Sequence, residues 1–249
     1  MTSSVKSIIR DGEADLVAVE EPLEIRADGE PIAVTMRTPG RDTDLAAGFL
    51  YGEGLVRTVP DVGLTEDFAG NTIEVRSPLA RQPASRRFYT TSSCGVCGKG
   101  ALEEIAVHAE RLPPGPSCAR GLLAGLPDRL VQPAFARSGG IHATGLFDRH
   151  GALVDVAEDV GRHNAMDKVI GRALLDGRLP LHEHVLCVSG RLSFELVQKA
   201  AVAGTPILVG VGAPSSLAIA LAADRGLTLC GFARRGRMNV YTAPERVSG

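Results

Sequence analysis

The chain has 249 residues with 27 basic and 29 acidic side chains, and its formal net charge of −2 predicts no bulk attraction to nucleic acid or anionic membranes. Its hydrophobic content of 44% and charged content of 22% are typical of a globular protein that is long enough to bury a substantial core. The first residues contain no apolar signal segment, and no apolar run approaches the roughly 18 residues of a membrane span. The five cysteines, an odd number, fit reduced thiols better than a disulfide framework, so we expect a cytoplasmic protein without nucleic-acid or membrane partners.

Residues 1–92 are predicted to form a β-rich α+β domain. The dipeptide Asp28-Gly29 is a hairpin signal between two apolar runs. A short helix is expected to begin with Asp42 or Thr43 as its cap and to run through Tyr51, because apolar residues follow at helical spacing. Strands are predicted at residues 16–19, 23–26, 32–36 and 72–75. This part shows no evident chemistry, and we interpret it as a scaffold or docking surface.

Residues 93–249 are predicted to form an α/β domain. An amphipathic helix is expected over 101–112, followed by a proline-rich break and a helical stretch around 121–137. Further along, strands are predicted at 141–147, 153–156, 185–188, 207–209 and 227–230, and helices at 162–175, 194–203 and 216–223. Continuous apolar strands that alternate with helices indicate a sheet covered on both faces.

Two of the five cysteines, Cys94 and Cys97, form a C-x-x-C pair at the start of this second domain. Small and hydroxylated residues surround the pair, and the predicted helix follows at once. The free N–H groups and positive dipole of a helix N-terminus, together with the nearby Lys99, would lower the pKa of a thiol from its usual value of about 8.5. The pattern predicts a nucleophilic or metal-binding sulfur, not a buried structural one.

Several reactions use such a pair, and its spacing alone does not separate them. A structural zinc site needs about four ligands, and no second paired spacing supplies the other two. The base deaminases carry H-x-E ahead of P-C-x-x-C, whereas His108 and Glu110 follow the cysteine pair here. Dithiol–disulfide exchange and persulfide transfer both require an exposed, acidified thiol, so both remain open.

The C-terminal half contains three segments that could bind an anion. Ser189-Gly190-Arg191 and residues 212–215 each fall between a predicted strand and a predicted helix, where backbone N–H groups tend to bind anions. The basic stretch 232–237 holds three arginines, which is consistent with phosphate binding or with a solvated turn. His163 and Asp167 lie four residues apart and are interpreted as an oriented imidazole or as a plain surface pair.

Five strings in this order resemble the formate dehydrogenase accessory sulfurtransferases of the FdhD/NarQ family. They are Ser-Ser-Cys-Gly-Val-Cys-Gly at 92–98, Gly-Gly-Ile-His-Ala at 139–143, Glu-Asp-Val-Gly-Arg-His-Asn-Ala at 158–165, Ser-Gly-Arg-Leu-Ser-Phe-Glu-Leu-Val-Gln-Lys-Ala at 189–200, and Met-Asn-Val-Tyr-Thr at 238–242. The resemblance extends from about Leu23 to the C-terminus. Several independent motifs in one order are much more specific than a lone C-x-x-C.

This resemblance implies a sulfur carrier that accepts sulfur from a cysteine desulfurase as a persulfide on Cys94, with Cys97 as the second cysteine. The sulfur would pass to the molybdenum or tungsten bis-molybdopterin guanine dinucleotide cofactor, for which a guanine nucleotide is a mimic, before that cofactor enters the catalytic subunit of formate dehydrogenase. The resemblance also implies a homodimer and, for the second domain, a cytidine-deaminase-like α/β/α sandwich without that enzyme's zinc. The cofactor-binding residues that it implies are Phe232, Ala233, Arg234, Arg235, Gly236 and Arg237.

We expect Ser189, Gly190, Arg191 and Ser215 to complete the cofactor site from the two other anion-binding turns. Two alternatives from different classes stay open at this point. The chain could be a non-catalytic chaperone that binds the molybdenum cofactor, or a dithiol oxidoreductase that cycles a Cys94–Cys97 disulfide. The sequence does not distinguish molybdenum from tungsten.

Overall fold

The computed structural model describes residues 3–65, 70–80, 88–89 and 109–249, and residues 88–89 through their backbone alone. The helices are α1 Asp42–Gly52, α2 Arg120–Gly125, α3 Pro133–Ser138, α4 Arg162–Leu175, α5 Phe194–Val202 and α6 Ser216–Arg225. The strands are β1 Val5–Arg10, β2 Glu13–Ala18, β3 Glu21–Ala27, β4 Glu30–Arg37, β5 Val62–Leu64, β6 Thr72–Val75, β7 Phe88–Tyr89, β8 Cys118–Ala119, β9 His142–Asp148, β10 Leu153–Asp159, β11 His184–Val188, β12 Ile207–Gly210, β13 Thr228–Arg234, β14 Arg237–Val240 and β15 Val247–Ser248. Within these ranges, no helix is both long and apolar enough to cross a bilayer.

The N-terminal part contains a five-stranded sheet in the order β5-β6-β3-β4-β7. Strands β3 and β4 are antiparallel, and the turn between them places Asp28 and Gly29 at φ angles of 52° and 77°, as the hairpin signal predicted. The N-cap of α1 is Arg41, whereas the sequence suggested Asp42 or Thr43. The carboxylate of Asp42 accepts hydrogen bonds from Arg37 at 3.0 and 2.9 Å instead.

The second sheet has six strands in the order β10-β9-β11-β12-β13-β14, so the chain is a mixed α/β protein. Strands β11, β12 and β13 are parallel, and the remaining neighbours pair antiparallel. One face packs against α4, α5 and α6, and the other packs against α2 and the turn that follows it. Both faces are therefore covered, as the continuous apolar strands predicted.

Two helical predictions before this sheet need correction. The stretch 121–137 contains two short helices, α2 and α3, because Pro127 and Pro133 interrupt it. Residues 109–112, at the end of the predicted 101–112 helix, are not helical: the N–H of Leu112 donates to the carbonyl of Arg225 at 2.8 Å. The start of that predicted helix, and the predicted domain boundary between residues 92 and 93, lie outside the described residues.

Helices α1 and α4 connect the two parts of the chain through a glycine contact. A Cβ atom on Gly48 would overlap the carbonyl oxygen of Asp167, and one on Gly171 would overlap that of Asp44. The two backbones therefore approach each other more closely than any side chain would permit. The same crossing carries Leu174 of α4 into the core that α1 shares with the N-terminal sheet.

A buried ion pair lies beside this crossing. Asp167 Oδ1 is 2.8 Å from Lys199 Nζ, and their side chains are only 3% and 6% exposed. Lys199 Nζ also lies 5.7 Å from the centroid of the Phe49 ring of α1. The surface pairing of His163 with Asp167 is therefore wrong: α1 and α5 cover Asp167, and His163 instead contacts Glu195 at 2.8 Å.

Asp167 should make the protein less stable as the pH rises from about 4 to about 7. Burial raises the pKa of Asp167 from 3.8 to about 6, although Lys199 opposes this shift. The folded state thus keeps a proton that the unfolded chain has already released, so this contribution is complete below pH 3.8 and is lost as the pH rises through 6.

Urea unfolding across this pH range, compared with the double variant Asp167→Asn/Lys199→Met, measures the effect. The free energy of unfolding of the wild type should fall across this pH range relative to that of the double variant. Parallel pH profiles for the two proteins would contradict the assigned titration.

Candidate functional site

Three of the five cysteines lie in the interior of the fold. Cys118 is 2% exposed, and Cys187 and Cys230 are fully buried in β11 and β13. Burial raises the pKa of all three thiols, that of Cys230 to about 12. None of them presents a reactive thiolate at neutral pH, because the thiolate is the nucleophilic form. The predicted catalytic cysteines, Cys94 and Cys97, lie outside the described residues.

Alkylation of the folded protein should therefore spare Cys118, Cys187 and Cys230. Iodoacetamide added at neutral pH, followed by peptide mass spectrometry, should leave these three cysteines unmodified while Cys94 and Cys97 react. In the urea-unfolded control, all five should be modified within the same time. Labelling of Cys118 in the folded protein at the unfolded rate would contradict the burial that we describe.

The turns that follow β11 and β12 meet at the carboxyl edge of the parallel strands. The N–H of Gly212 donates to the carbonyl of Gly190 at 3.0 Å, and Leu192 exchanges backbone hydrogen bonds with Ala213 and Ser215, each at 3.0 Å. The Ser215 hydroxyl caps α6 by accepting the N–H of Ala218 at 3.2 Å. The structure thus brings Ser189, Gly190, Arg191 and Ser215 to one edge, with the hydroxyl of Ser215 committed to its helix.

The third predicted segment forms a hairpin beside these turns. Arg235 and Gly236 have φ angles of 50° and 71° and make the two-residue turn between β13 and β14, typical of a type I′ hairpin. Phe232 lies at a bulge with a φ angle of 54°, and its N–H donates to the carbonyl of Gly212 at 3.1 Å. Phe232 is 40% exposed, whereas the neighbouring Ala233 is buried.

The arginines of this hairpin are free to bind an anion. Arg234, Arg235 and Arg237 are exposed, and none of them forms an ion pair with another described residue. They border an open surface hollow of about 780 Å³, whose other described lining residues are Phe232, Met238 and Asn239. Guanidinium groups beside an exposed aromatic ring suit a ligand that has both phosphates and a planar base.

The same edge contains residues that the sequence interpretation did not assign to the cofactor site. Strand β9 is antiparallel to β11, so its first residue, His142, lies beside the 189–191 turn. The Ser189 hydroxyl accepts the N–H of Ala143 at 2.9 Å and lies 3.4 Å from His142 Nδ1. Arg162 begins α4 at the same place. The strings at 139–143 and 158–165 contained these residues, but their spacing gave no sign that they meet.

The described residues define a mixed α/β protein in which the 189–191 and 212–215 turns and the arginine hairpin meet at one edge of the second sheet. A Streptomyces coelicolor protein named "Sulfur carrier protein FdhD" is 51% identical over an alignment of 263 residues, and this alignment covers 96% of this chain and 93% of that protein. A Mycobacterium tuberculosis protein of the same name is 48% identical over an alignment of 256 residues, and this alignment covers 94% of this chain and 92% of that protein.

Among solved structures, a formate dehydrogenase accessory protein from Desulfotalea psychrophila matches with a TM-score of 0.74 and 28% identity, covering 98% of this chain and 97% of that chain. The family model described as "FdhD/NarQ family" matches residues 18–248. The chain therefore belongs to the FdhD/NarQ family.

Proposed function

We propose that this protein is a sulfur carrier that transfers sulfur to the cofactor of a formate dehydrogenase. Relatives of the chain are named sulfur carrier proteins. The burial of Cys118, Cys187 and Cys230 supports our assignment of the sulfur-accepting role to the two other cysteines. With these three thiols enclosed, Cys94 and Cys97 remain as the cysteines that can accept sulfur. The donor is a cysteine desulfurase, and the recipient is the bis-molybdopterin guanine dinucleotide of molybdenum or tungsten.

The loading step is a thiol exchange. The Cys94 thiolate attacks the terminal sulfur of the desulfurase persulfide, the donor's S–S bond breaks, and the donor cysteine leaves as a thiolate. Cys94 then holds the sulfur as a persulfide. Cys97 either hydrogen-bonds to this persulfide or attacks Cys94 Sγ as a thiolate, which forms a Cys94–Cys97 disulfide and releases hydrosulfide. In the second case, a dithiol reductant regenerates the carrier.

The cofactor is held by the hairpin and by the two adjacent turns. Arg234, Arg235 and Arg237 bind phosphates, because forked guanidinium groups match phosphate oxygens. The exposed ring of Phe232 stacks on a guanine base, and the backbone of Ala233 and Gly236 keeps the hairpin in place. Ser189, Gly190, Arg191 and Ser215 line the neighbouring edge.

We further propose a homodimer, with the second domain in the cytidine-deaminase-like arrangement and the domain boundary between residues 92 and 93. The six-stranded sheet with helices on both faces is consistent with this arrangement. The catalytic subunit of a formate dehydrogenase is then the final recipient of the sulfurated cofactor.

Cys94→Ala tests the proposal against a cofactor-binding chaperone. The variant should bind GDP as tightly as the wild type but should fail to restore formate dehydrogenase activity in cells that lack their own copy of the protein. Cys118→Ala, which removes an enclosed thiol, is the matched control and should restore activity. Full activity with Cys94→Ala would favour the chaperone, and rapid reduction of insulin disulfides by the wild type would favour the oxidoreductase.

A further inference from the structure

Two side chains, those of His142 and Arg162, lie against the Ser189-Gly190 turn, and His163 follows Arg162; none of the three belongs to the hairpin. We call His142, Arg162 and His163 the edge cluster. A Cβ atom built on Gly190 would lie 3.4 Å from His142 Nδ1 and 3.6 Å from Arg162 Cδ, so both side chains contact this turn. His163 follows Arg162 in the first turn of α4, and its Nε2 lies 3.1 Å from the Ser193 hydroxyl.

Arg162 has unused hydrogen-bonding capacity. Its Nε atom is buried without a hydrogen-bond partner among the described residues, and no described carboxylate forms an ion pair with its guanidinium. The nearby acids are engaged elsewhere: Asp159 pairs with Lys168 at 2.7 Å, and Glu195 pairs with His163 at 2.8 Å. A buried N–H donor without a partner costs roughly 1–3 kcal/mol, so this position favours a ligand that accepts its hydrogen bond.

His142 offers a second donor towards the same place. Burial, followed by the charges of Arg162 and His163, lowers the pKa of His142 and so favours its neutral ring. The Ser189 hydroxyl accepts from Ala143 and lies 3.4 Å from His142 Nδ1; in the tautomer in which it donates its own proton to Nδ1, the ring carries its proton on Nε2. Nε2–H and the Arg162 guanidinium then form a pair of donors for an anion.

We propose that the edge cluster binds the terminal phosphate of a nucleoside diphosphate whose base lies on Phe232, a proposal that rests on the cofactor-binding part of the proposed function. His142 and Arg162 donate to this terminal phosphate, and His163 positions the start of α4 through its contacts with Glu195 and Ser193. The hairpin arginines bind the other phosphate and the ligand's outer face.

The spacing of the strands supports one ligand across both places. Strands β9, β11, β12 and β13 are successive neighbours, and neighbouring strands lie about 4.8 Å apart, so His142 and Phe232 lie about 14 Å apart across the sheet. The backbone connects them through Gly190, Gly212 and Phe232 by successive hydrogen bonds. This separation is comparable with the extended length of a nucleoside diphosphate.

Isothermal titration with pyrophosphate, GDP and guanosine tests the assignment. Arg162→Gln should lower the affinities for pyrophosphate and GDP at least 10-fold, while its affinity for guanosine should equal that of the wild type. Arg172→Gln, on the exposed face of the same helix and with the same change of charge, is the control and should bind all three ligands normally. Equal affinities of the Arg162 and Arg172 variants for pyrophosphate would overturn the proposal.

If Arg162→Gln unfolds the chain, a second variant tests the same proposal. Gly190→Ala adds a methyl group at ordinary contact distance from His142 and Arg162, so the fold should persist while the space between them shrinks. This variant should also weaken pyrophosphate binding and leave guanosine binding unchanged. Unchanged pyrophosphate affinity would overturn the proposal. Persulfide loading of Cys94 should be normal in both variants, so failure of the sulfur-carrier role is seen separately.

Discussion

Replacing Gly48 with alanine should lower the free energy of unfolding by at least about 3 kcal/mol, and we expect much of the protein to be unfolded. The added methyl group would overlap the carbonyl oxygen of Asp167, which is a backbone atom. A flexible side chain could rotate away, but here α1 and α4 must separate as whole helices. Urea unfolding followed by circular dichroism measures the loss.

The matched control is Gly121→Ala in α2. A Cβ atom on Gly121 meets no other atom within 4 Å, and the residue is exposed. Because alanine is the better helix former, this variant should be as stable as the wild type or slightly more stable, by up to about 1 kcal/mol. If Gly48→Ala behaved like this control, the close approach of α1 to α4 would be wrong.

Removing the three hairpin arginines should weaken GDP binding about 100-fold. The side chains of Arg234, Arg235 and Arg237 are exposed, so each contact with phosphate contributes about 1 kcal/mol, between the values of a surface ion pair and a buried charged hydrogen bond. Three such contacts contribute about 3 kcal/mol in total, which is close to a 100-fold change in affinity. The triple glutamine variant, measured by isothermal titration, tests this.

The control must change the net charge by the same amount. Arg76, Arg149 and Arg172 are exposed by 45%, 58% and 53% of their side-chain area, and they form surface ion pairs away from the hairpin. Their triple replacement by glutamine should leave GDP binding within about 2-fold of the wild type at physiological salt, because longer-range charge is screened. Comparable losses in the two triple variants would show that GDP binds through net charge alone.

The elements of the second domain could be predicted from sequence because local pattern determines them. Helix α4 begins and ends at Arg162 and Leu175 as predicted, since its apolar residues recur at helical spacing. The meeting of the 189–191 and 212–215 turns was also foreseeable, because parallel strands end at one edge of a sheet. The Asp28-Gly29 turn formed for the same local reason.

The features that the sequence did not reveal depend on tertiary proximity. The sequence pattern predicts a surface position for Asp167 on the polar face of α4. In the structure, α1 and α5 pack against this face and enclose Asp167 together with Lys199. Gly48 and Gly171 are more than a hundred residues apart, so no local pattern shows that they touch. His142 lies beside the 189–191 turn only because β9 runs antiparallel to β11.

The most direct test of the sulfur-carrier account is mass spectrometry of the protein after incubation with a cysteine desulfurase and L-cysteine. The wild type and Cys118→Ala should each gain one sulfur atom, and peptide mapping should place it on Cys94. Cys94→Ala should gain none. A wild type without the added sulfur, or a Cys94→Ala variant that still carries it, would contradict the account.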